Sequence, residues 1–244
     1  MSEQVNHVTI MDVPFTNLTQ KELLDQHIYN RLHRLEKTFI VTANPEIVMM
    51  AKENNRFHSL INRADYIIPD GTGIVMASKV IRNPIKERVP GFDLMTHLIG
   101  YAEDQDLSCF FLGAKQEVLD KMIDRIKDLH PYLKIAGVHH GYFDLEDREI
   151  AESVKKTKPD LVFVALGSPA QEKWIMKYYE EFNKGLFMGV GGSFDVIAGE
   201  VKRAPAIWIK FHLEWLYRLI KQPFRWKRIL KVFEFMFRII IRKH

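Results

Sequence analysis

Asp70 stands directly behind the apolar run Tyr66-Ile67-Ile68-Pro69 and ahead of Gly71-Thr72-Gly73. A carboxylate at the end of a buried strand can face a ligand crevice and take a proton from an attacking hydroxyl, the work of a general base. The same residue can instead close a turn or cap the following helix, and Asp-Gly is a common turn pair. Spacing alone favours the turn. Thr42 and Asn44, in Thr42-Ala43-Asn44-Pro45-Glu46, could hydrogen-bond a substrate. Here too spacing favours the plainer roles, a strand-end threonine and a helix N-cap followed by proline. Gln171 lies in Gly167-Ser168-Pro169-Ala170-Gln171-Glu172, where its amide could reach a sugar hydroxyl or a phosphate, or could sit exposed in a first helical turn.

The segment Gly189-Val190-Gly191-Gly192-Ser193-Phe194-Asp195 resembles a phosphate or ribose loop, because glycines let backbone N–H groups approach oxygens closely. It is not the dinucleotide fingerprint, since Asp195 occupies the place of the final glycine, and no Walker sequence is present. Dehydrogenase and kinase chemistry are therefore poorly supported. His139 and His140 are adjacent, and neighbours on a strand point to opposite faces, so a shared metal ion is not expected. The one D-x-D triplet, Asp104-Gln105-Asp106, precedes a strand at a helix end and reads as a solvated turn. The expectation is chemistry with no metal and no cofactor. Cys109, the single cysteine, lies in the apolar run CFFLG and reads as a small buried hydrophobe rather than a nucleophile.

These candidates need a scaffold, and the sequence supplies a repeating one. The runs TFIVTAN, DYIIPDG, SCFFLGAK, KIAGVHHGYF, LVFVALGSP and LFMGVGG are short, rich in β-branched or aromatic residues, and end in glycine, proline or asparagine. Helical patterns are expected between them at 45–55, 73–80, 92–104, 116–129, 145–156 and 170–182. Ahead of them, HVTIMDVPFTNLTQKEL reads as one or two strands and a helix opened by a Thr19…Glu22 capping box. Such alternation predicts an α/β fold, a Rossmann-like, mainly parallel sheet with helices on both faces. In such sheets ligands bind beyond the carboxyl ends of the strands. Those are the positions of the polar loops that carry Gly113, Tyr142, Gly167, Gly191 and Gly192.

The chain of 244 residues carries a net charge of +4, but its distribution is uneven. Residues 202–244 hold twelve Lys/Arg and two acids, a balance of +10, while the remainder holds 23 bases and 29 acids, −6. The expected organisation is a core over 1–200 and a basic, aromatic helical appendage over 201–244. Lys210, Glu214, Arg218, Lys221, Arg225 and Arg228 recur at steps of three or four and share one helical face, with Pro223 expected to kink or split the helix. Trp208, Phe211, Trp215, Leu219 and Trp226 lie mainly on others. A basic helix with a Trp/Phe/Leu face reads as an interfacial membrane element. A nucleic-acid-binding tail would account for the charge but not for the six polar strand-end loops. A non-catalytic membrane scaffold is a third alternative. No signal sequence opens the chain and no run is long enough to span a bilayer, so the expected place is the cytoplasm, peripheral on the membrane's inner face. The apolar tail face also carries an expectation of self-association in solution.

The blocks TANPEIV, ADYIIPDGTGIV, Arg88-Val89-Pro90-Gly91-Phe92-Asp93, FFLGAK, HHGYF, VALGSPAQEKW and GVGGSFDVIAGEVKRAP together resemble the WecG/TagA/CpsF glycosyltransferases. The resemblance runs from about Val8 to about Arg228 and is greatest to the teichoic-acid members. It implies inverting transfer of N-acetylmannosamine from UDP-ManNAc to the C4 hydroxyl of GlcNAc-diphospho-undecaprenol, giving the linkage disaccharide of wall teichoic acid. Other members imply alternative donors, UDP-ManNAc uronic acid or a glucose nucleotide. By the same resemblance Asp70 falls where the family places its proposed base, and Thr42, Asn44, Gln171 and Arg88 match positions of the transfer site. Gly113, Tyr142, Gly167, Gly191, Gly192 and Asp195 fall in segments expected near the nucleotide. Arg218, Arg225 and Arg228 match a basic appendage that could clamp the diphosphate or contact lipid headgroups.

Overall fold

The computed structural model describes residues 5–202, 204, 205, 208, 216, 217, 220 and 226–241. The chain opens with an antiparallel hairpin, β1 (His7–Ile10) and β2 (Val13–Thr16), in which Val8, Ile10, Val13 and Phe15 are buried. Thr19 then caps a helical segment. It accepts from the backbone N–H of Glu22 (3.1 Å) while its own N–H donates to the Glu22 carboxylate (2.8 Å), the expected capping box. This segment runs through α1 (Gln20–Glu22), a π turn over Leu23–Ile28 and α2 (Tyr29–His33).

Six strands form one parallel sheet: β3 (Thr38–Ala43), β4 (Tyr66–Pro69), β5 (Ser108–Gly113), β6 (Lys134–His139), β7 (Leu161–Ala165) and β8 (Leu186–Gly189). All six are the apolar runs picked out above, and their order in the sheet is β4-β3-β8-β7-β5-β6. β3, β4, β7 and β8 are buried along their whole length, because helices cover both faces. The connecting helices are α3 (Pro45–Glu53), α4 (Asn55–Ile61), α5 (Thr72–Val80), α6 (Gly91–Asp104), α7 (Gln116–Leu129), α8 (Arg148–Thr157), α9 (Ala170–Tyr178) and the short α10 (Ser193–Ile197). Three expectations shift. The helix expected over 170–182 ends at Tyr178, and a 3-10 turn over Tyr179–Glu181 follows it. The single helix expected over 45–55 breaks at Asn54, whose side chain accepts from Phe57 N–H (3.0 Å) and starts α4. The helix expected from 145 begins instead at Arg148, after the Asp147 cap.

Two core layers flank the sheet. α3, α4, α5, α8 and α9 pack on one face, through residues such as Ile47, Ile74, Val154 and Trp174. α6, α7 and α10 pack on the other, through Leu94, Leu119 and Phe194. The chains leaving β3 and β7 therefore turn to one face, whereas the chain leaving β8, which lies between them, turns to the opposite face. A crevice at the carboxyl edge opens where neighbouring connections diverge in this way, which places it at β8.

At the opposite edge of the sheet, two aspartates pin the strand starts. Asp65 accepts from Phe39 N–H (2.8 Å) and from Tyr179 (3.2 Å) and pairs with Arg31 (2.9 Å). Asp160 accepts from the N–H (2.9 Å) and hydroxyl (2.8 Å) of Ser108 and pairs with Lys184 (2.5 Å).

The last described helix, α11 (Trp226–Ile241), docks on α3 and α5. Phe235 and Ile239 are buried in the core layer beneath those helices, and Lys231 lies 3.7 Å from Glu53. Its opposite side, Trp226, Leu230, Phe233, Phe237, Ile240 and Ile241, is exposed.

Candidate active site

The carboxyl ends of β3, β4, β7 and β8 bring the leading candidates together. Thr42, the penultimate residue of β3, is 8% exposed and donates to the carbonyl of Gly189 at the end of β8 (3.1 Å). Asn44 is the N-cap of α3 and accepts from Ile47 N–H (3.1 Å). That cap consumes its side-chain oxygen and leaves the NH₂ group as what it can offer a ligand.

Asp70 follows β4, and its N–H continues the ladder to Ala43 carbonyl (2.9 Å). The cap of α5 falls on Gly71, whose φ of 149° favours glycine, so the helix-cap position belongs to Gly71 and not to Asp70. The Asp70 carboxylate is 29% exposed and lies 3.6 Å from the guanidinium of Arg88. Arg88 is brought there by its own segment: Val89 N–H donates to Pro69 carbonyl (3.0 Å), which lays residues 88–90 across the end of β4. The chain then enters α6 at Gly91. A β-carbon there would meet the Thr42 methyl at 2.9 Å and the Asp70 carboxylate at 3.3 Å. Glycine at 91 is what lets α6 start against both residues.

Gln171, expected in an exposed turn or against substrate, is 2% exposed. Its carbonyl oxygen accepts from Gly191 N–H (3.0 Å), and its amide nitrogen lies 2.5 Å from where a β-carbon on Gly189 would be. Thr42 and Gln171 thus meet Gly189 from β3 and from α9. Gly167 (φ 74°) and Gly191 (φ 52°) both adopt left-handed backbone, and their missing β-carbons face open space above the sheet. Gly192 approaches Asp195, which lies inside α10 rather than in the loop; the loop itself ends at Gly192.

Gly113 (φ 133°) ends β5 so close to β7 that a β-carbon would lie 2.4 Å from Ala165 carbonyl. Tyr142 is 68% exposed beyond the edge strand β6. With strands about 4.8 Å apart, the loops of β4 and β6 stand roughly 24 Å from each other. Asp70 and Tyr142 therefore bound opposite ends of the edge. The rings of His139 and His140 lie side by side, 4.6 Å between centroids, and do not point apart as expected. β6 ends at His139, so the alternation of a strand no longer governs His140. Among the described residues no three His, Cys, Asp or Glu side chains are grouped to hold a metal ion. Cys109 is buried in β5, and burial pushes its thiol up, as fits an inert core residue.

Arg218 and Arg225 lie outside the described residues; Arg228 falls in α11, with its side chain outside them. Sequence reasoning passed over Ser168 and Glu172, which are in direct contact with Gln171. A signal was present. Gln171 and Glu172 precede Trp174, Ile175 and Tyr178 at helical spacing and so fall on the buried stripe of α9.

Fold and site define an α/β protein of Rossmann-like type that takes its ligand at the carboxyl edge of a parallel sheet. The model of the Glycosyl transferase WecG/TagA/CpsF family matches residues 8–244, and the chain belongs to that family. It is 43% identical over 223 residues to an N-acetylglucosaminyldiphosphoundecaprenol N-acetyl-beta-D-mannosaminyltransferase of Bacillus spizizenii, covering 88% of this chain and 86% of the relative. Proteins of the same name from Bacillus subtilis (39% identical; 92% and 87% covered) and Staphylococcus aureus (40%; 91% and 86%) are also similar to it.

Proposed function

We propose that this chain transfers N-acetylmannosamine from UDP-ManNAc to the C4 hydroxyl of GlcNAc-diphospho-undecaprenol with inversion. The names of the relatives above, matched over most of their lengths, support the donor sugar and the lipid-linked acceptor. The observation that carries the reading is Asp70: a part-exposed carboxylate at a strand end, held beside Arg88 and the start of α6. In the reaction, the acceptor oxygen forms a bond to the anomeric carbon as the bond from that carbon to the diphosphate oxygen breaks. The hydroxyl proton passes to Asp70, and UDP leaves with the electron pair. Thr42, Asn44 and Arg88 border this centre, and the glycines at 113, 167, 191 and 192, with Tyr142 and Asp195, form the rim along which the nucleotide lies. Charge on the leaving diphosphate falls to backbone N–H groups and to arginines, with Arg218, Arg225 and Arg228 as the candidates from the tail.

The acceptor is lipid-linked, so the site must work at a membrane surface. No described helix is long and apolar enough to cross a membrane. The exposed apolar side of α11, within the basic tail, supports peripheral contact with an anionic bilayer. The deciding experiment offers UDP-ManNAc, UDP-ManNAc uronic acid and UDP-glucose separately to the protein with a lipid-diphosphate-GlcNAc acceptor. A disaccharide product from UDP-ManNAc alone is expected. Transfer from either other donor in its place would overturn the assignment.

A further inference from the structure

Gln171 and Glu172 are adjacent polar residues in the first turn of α9, and both are buried, Glu172 at 1% exposure. The Oε1 atom of Glu172 accepts two hydrogen bonds, from the Ser168 hydroxyl (2.7 Å) and from the amide nitrogen of Gln171 (2.8 Å). Burial pushes the Glu172 carboxyl above its ordinary value of 4.5, against the pull of those two donors. Both donors meet Oε1, and Oε2 has no hydrogen-bond partner among the described residues.

The arrangement settles a choice that glutamine cannot make alone. An amide can present either its oxygen or its NH₂ to a neighbour. Glu172 offers only an acceptor toward Gln171, so the NH₂ turns to Glu172 and the carbonyl oxygen turns to Gly191 N–H. Reversed, the amide would set NH₂ against N–H and leave both donors without an acceptor. The loop after β8 therefore takes its position from a carboxyl on α9, relayed by one amide that lies over Gly189.

We propose that Glu172 is a positioning residue for transfer: through Gln171 it fixes the 190–192 loop on the nucleotide side of the crevice. This rests on the function proposed above, and its test has one arm that does not. Glu172→Met keeps the length of the side chain and removes the acceptor. Glu172→Gln keeps an oxygen acceptor in a side chain of the same shape. Hydrogen exchange followed by mass spectrometry reads the loop directly. Glu172→Met should speed exchange in the peptide covering 186–193 by at least tenfold and leave the β3 and β5 peptides at wild-type rates. Glu172→Gln should restore protection. Calorimetry with UDP reads the consequence: Kd should rise at least tenfold in Glu172→Met and return to within threefold of wild type in Glu172→Gln.

Unchanged exchange in a folded Glu172→Met protein would overturn the lock. Altered exchange with unchanged UDP affinity would overturn the positioning role, and failure of Glu172→Gln to rescue would overturn the orientation argument. If Glu172→Met does not fold, Gly189→Ala displaces the same amide from the β8 side and must give the same pair of effects. Should the wild-type protein not bind UDP, the proposed function fails, while the exchange arm still decides the lock.

Discussion

Asp70 shows how a residue's surroundings bear on two roles that its neighbours in sequence cannot tell apart. Asp-Gly after an apolar run is as much a turn as a base. What separates them is that Gly71 takes the cap position, while a loop from residues 88–90 folds back against the carboxylate. The second of these is not local in sequence. If Asp70 is the base, Asp70→Asn should lower turnover about a hundredfold or more while UDP affinity stays at the wild-type value; near-normal turnover in a radiolabelled transfer assay would remove it from that role. The strand-end place of Thr42 was legible in its sequence, but the burial of Gln171 was not, since the glycine-containing loop hid the periodicity that begins there. Asp160 makes a different residue-scale prediction. Burial alone would raise its carboxyl, yet the bonds from Lys184 and Ser108 hold it below the ordinary 3.8. The native state therefore binds that proton less tightly than the unfolded chain. The resulting stability is present above about pH 4 and is lost as pH falls through the lowered native value. Asp160→Asn should cost about 1–3 kcal/mol at pH 7 by urea denaturation, with the gap to wild type narrowing at pH 3. A gap that stays constant across that range would show that the charge is not what matters.

Among the elements, the sheet was the most readable and the last helix the least. Strands buried on both faces write themselves as short apolar runs closed by glycine or proline, and all six runs became strands. Helix boundaries shifted where a capping side chain, Asn54 or Asp147, intervened. α11 is apolar on two sides: Phe235 and Ile239 face the core, while Leu230, Phe233 and Phe237 face away. With apolar residues all round and bases between them, the pattern identifies no single buried stripe, so its docking was not legible. That docking matters for the site. A β-carbon on Gly73, in the first turn of α5, would lie 2.7 Å from Pro45 of α3 and 3.7 Å from Val232 of α11. α11 thus rests on the two helices that begin at Asn44 and just past Asp70. Phe235→Ala should cost about 3–5 kcal/mol of stability and lower turnover more than it weakens UDP binding, because the strand ends of β3 and β4 lose their brace. Denaturation midpoints and steady-state kinetics read both effects, and a loss under 1 kcal/mol would mean that the helix is not docked in solution.

For the whole molecule, charge divides between an acidic core and a basic tail, and under the proposed function the first would meet the nucleotide and the second the membrane. Charge alone could not say which polyanion the tail meets, since nucleic acid and anionic lipid attract it equally. The placement of α11 bears on that choice, because Trp226, Leu230, Phe233, Phe237 and Ile240 form a continuous exposed apolar stripe opposite the docked face. Nucleic-acid backbones have no use for such a stripe, whereas a bilayer interface takes up both the apolar side chains and the flanking bases. Each phenylalanine buried in the acyl region contributes about 1.5–3 kcal/mol. Exchanging Phe233 and Phe237 for glutamate should therefore weaken binding to vesicles of phosphatidylglycerol and phosphatidylcholine by at least tenfold in a sedimentation assay. The side chains point away from α3 and α5, so the melting temperature and UDP affinity should match wild type. Turnover on the full-length lipid acceptor in vesicles should fall with vesicle binding, and turnover on a short-chain, water-soluble acceptor should not. Wild-type vesicle binding in that double variant would assign the stripe to another partner, and equal losses on both acceptors would mean that it acts on the chemistry rather than on delivery of the lipid.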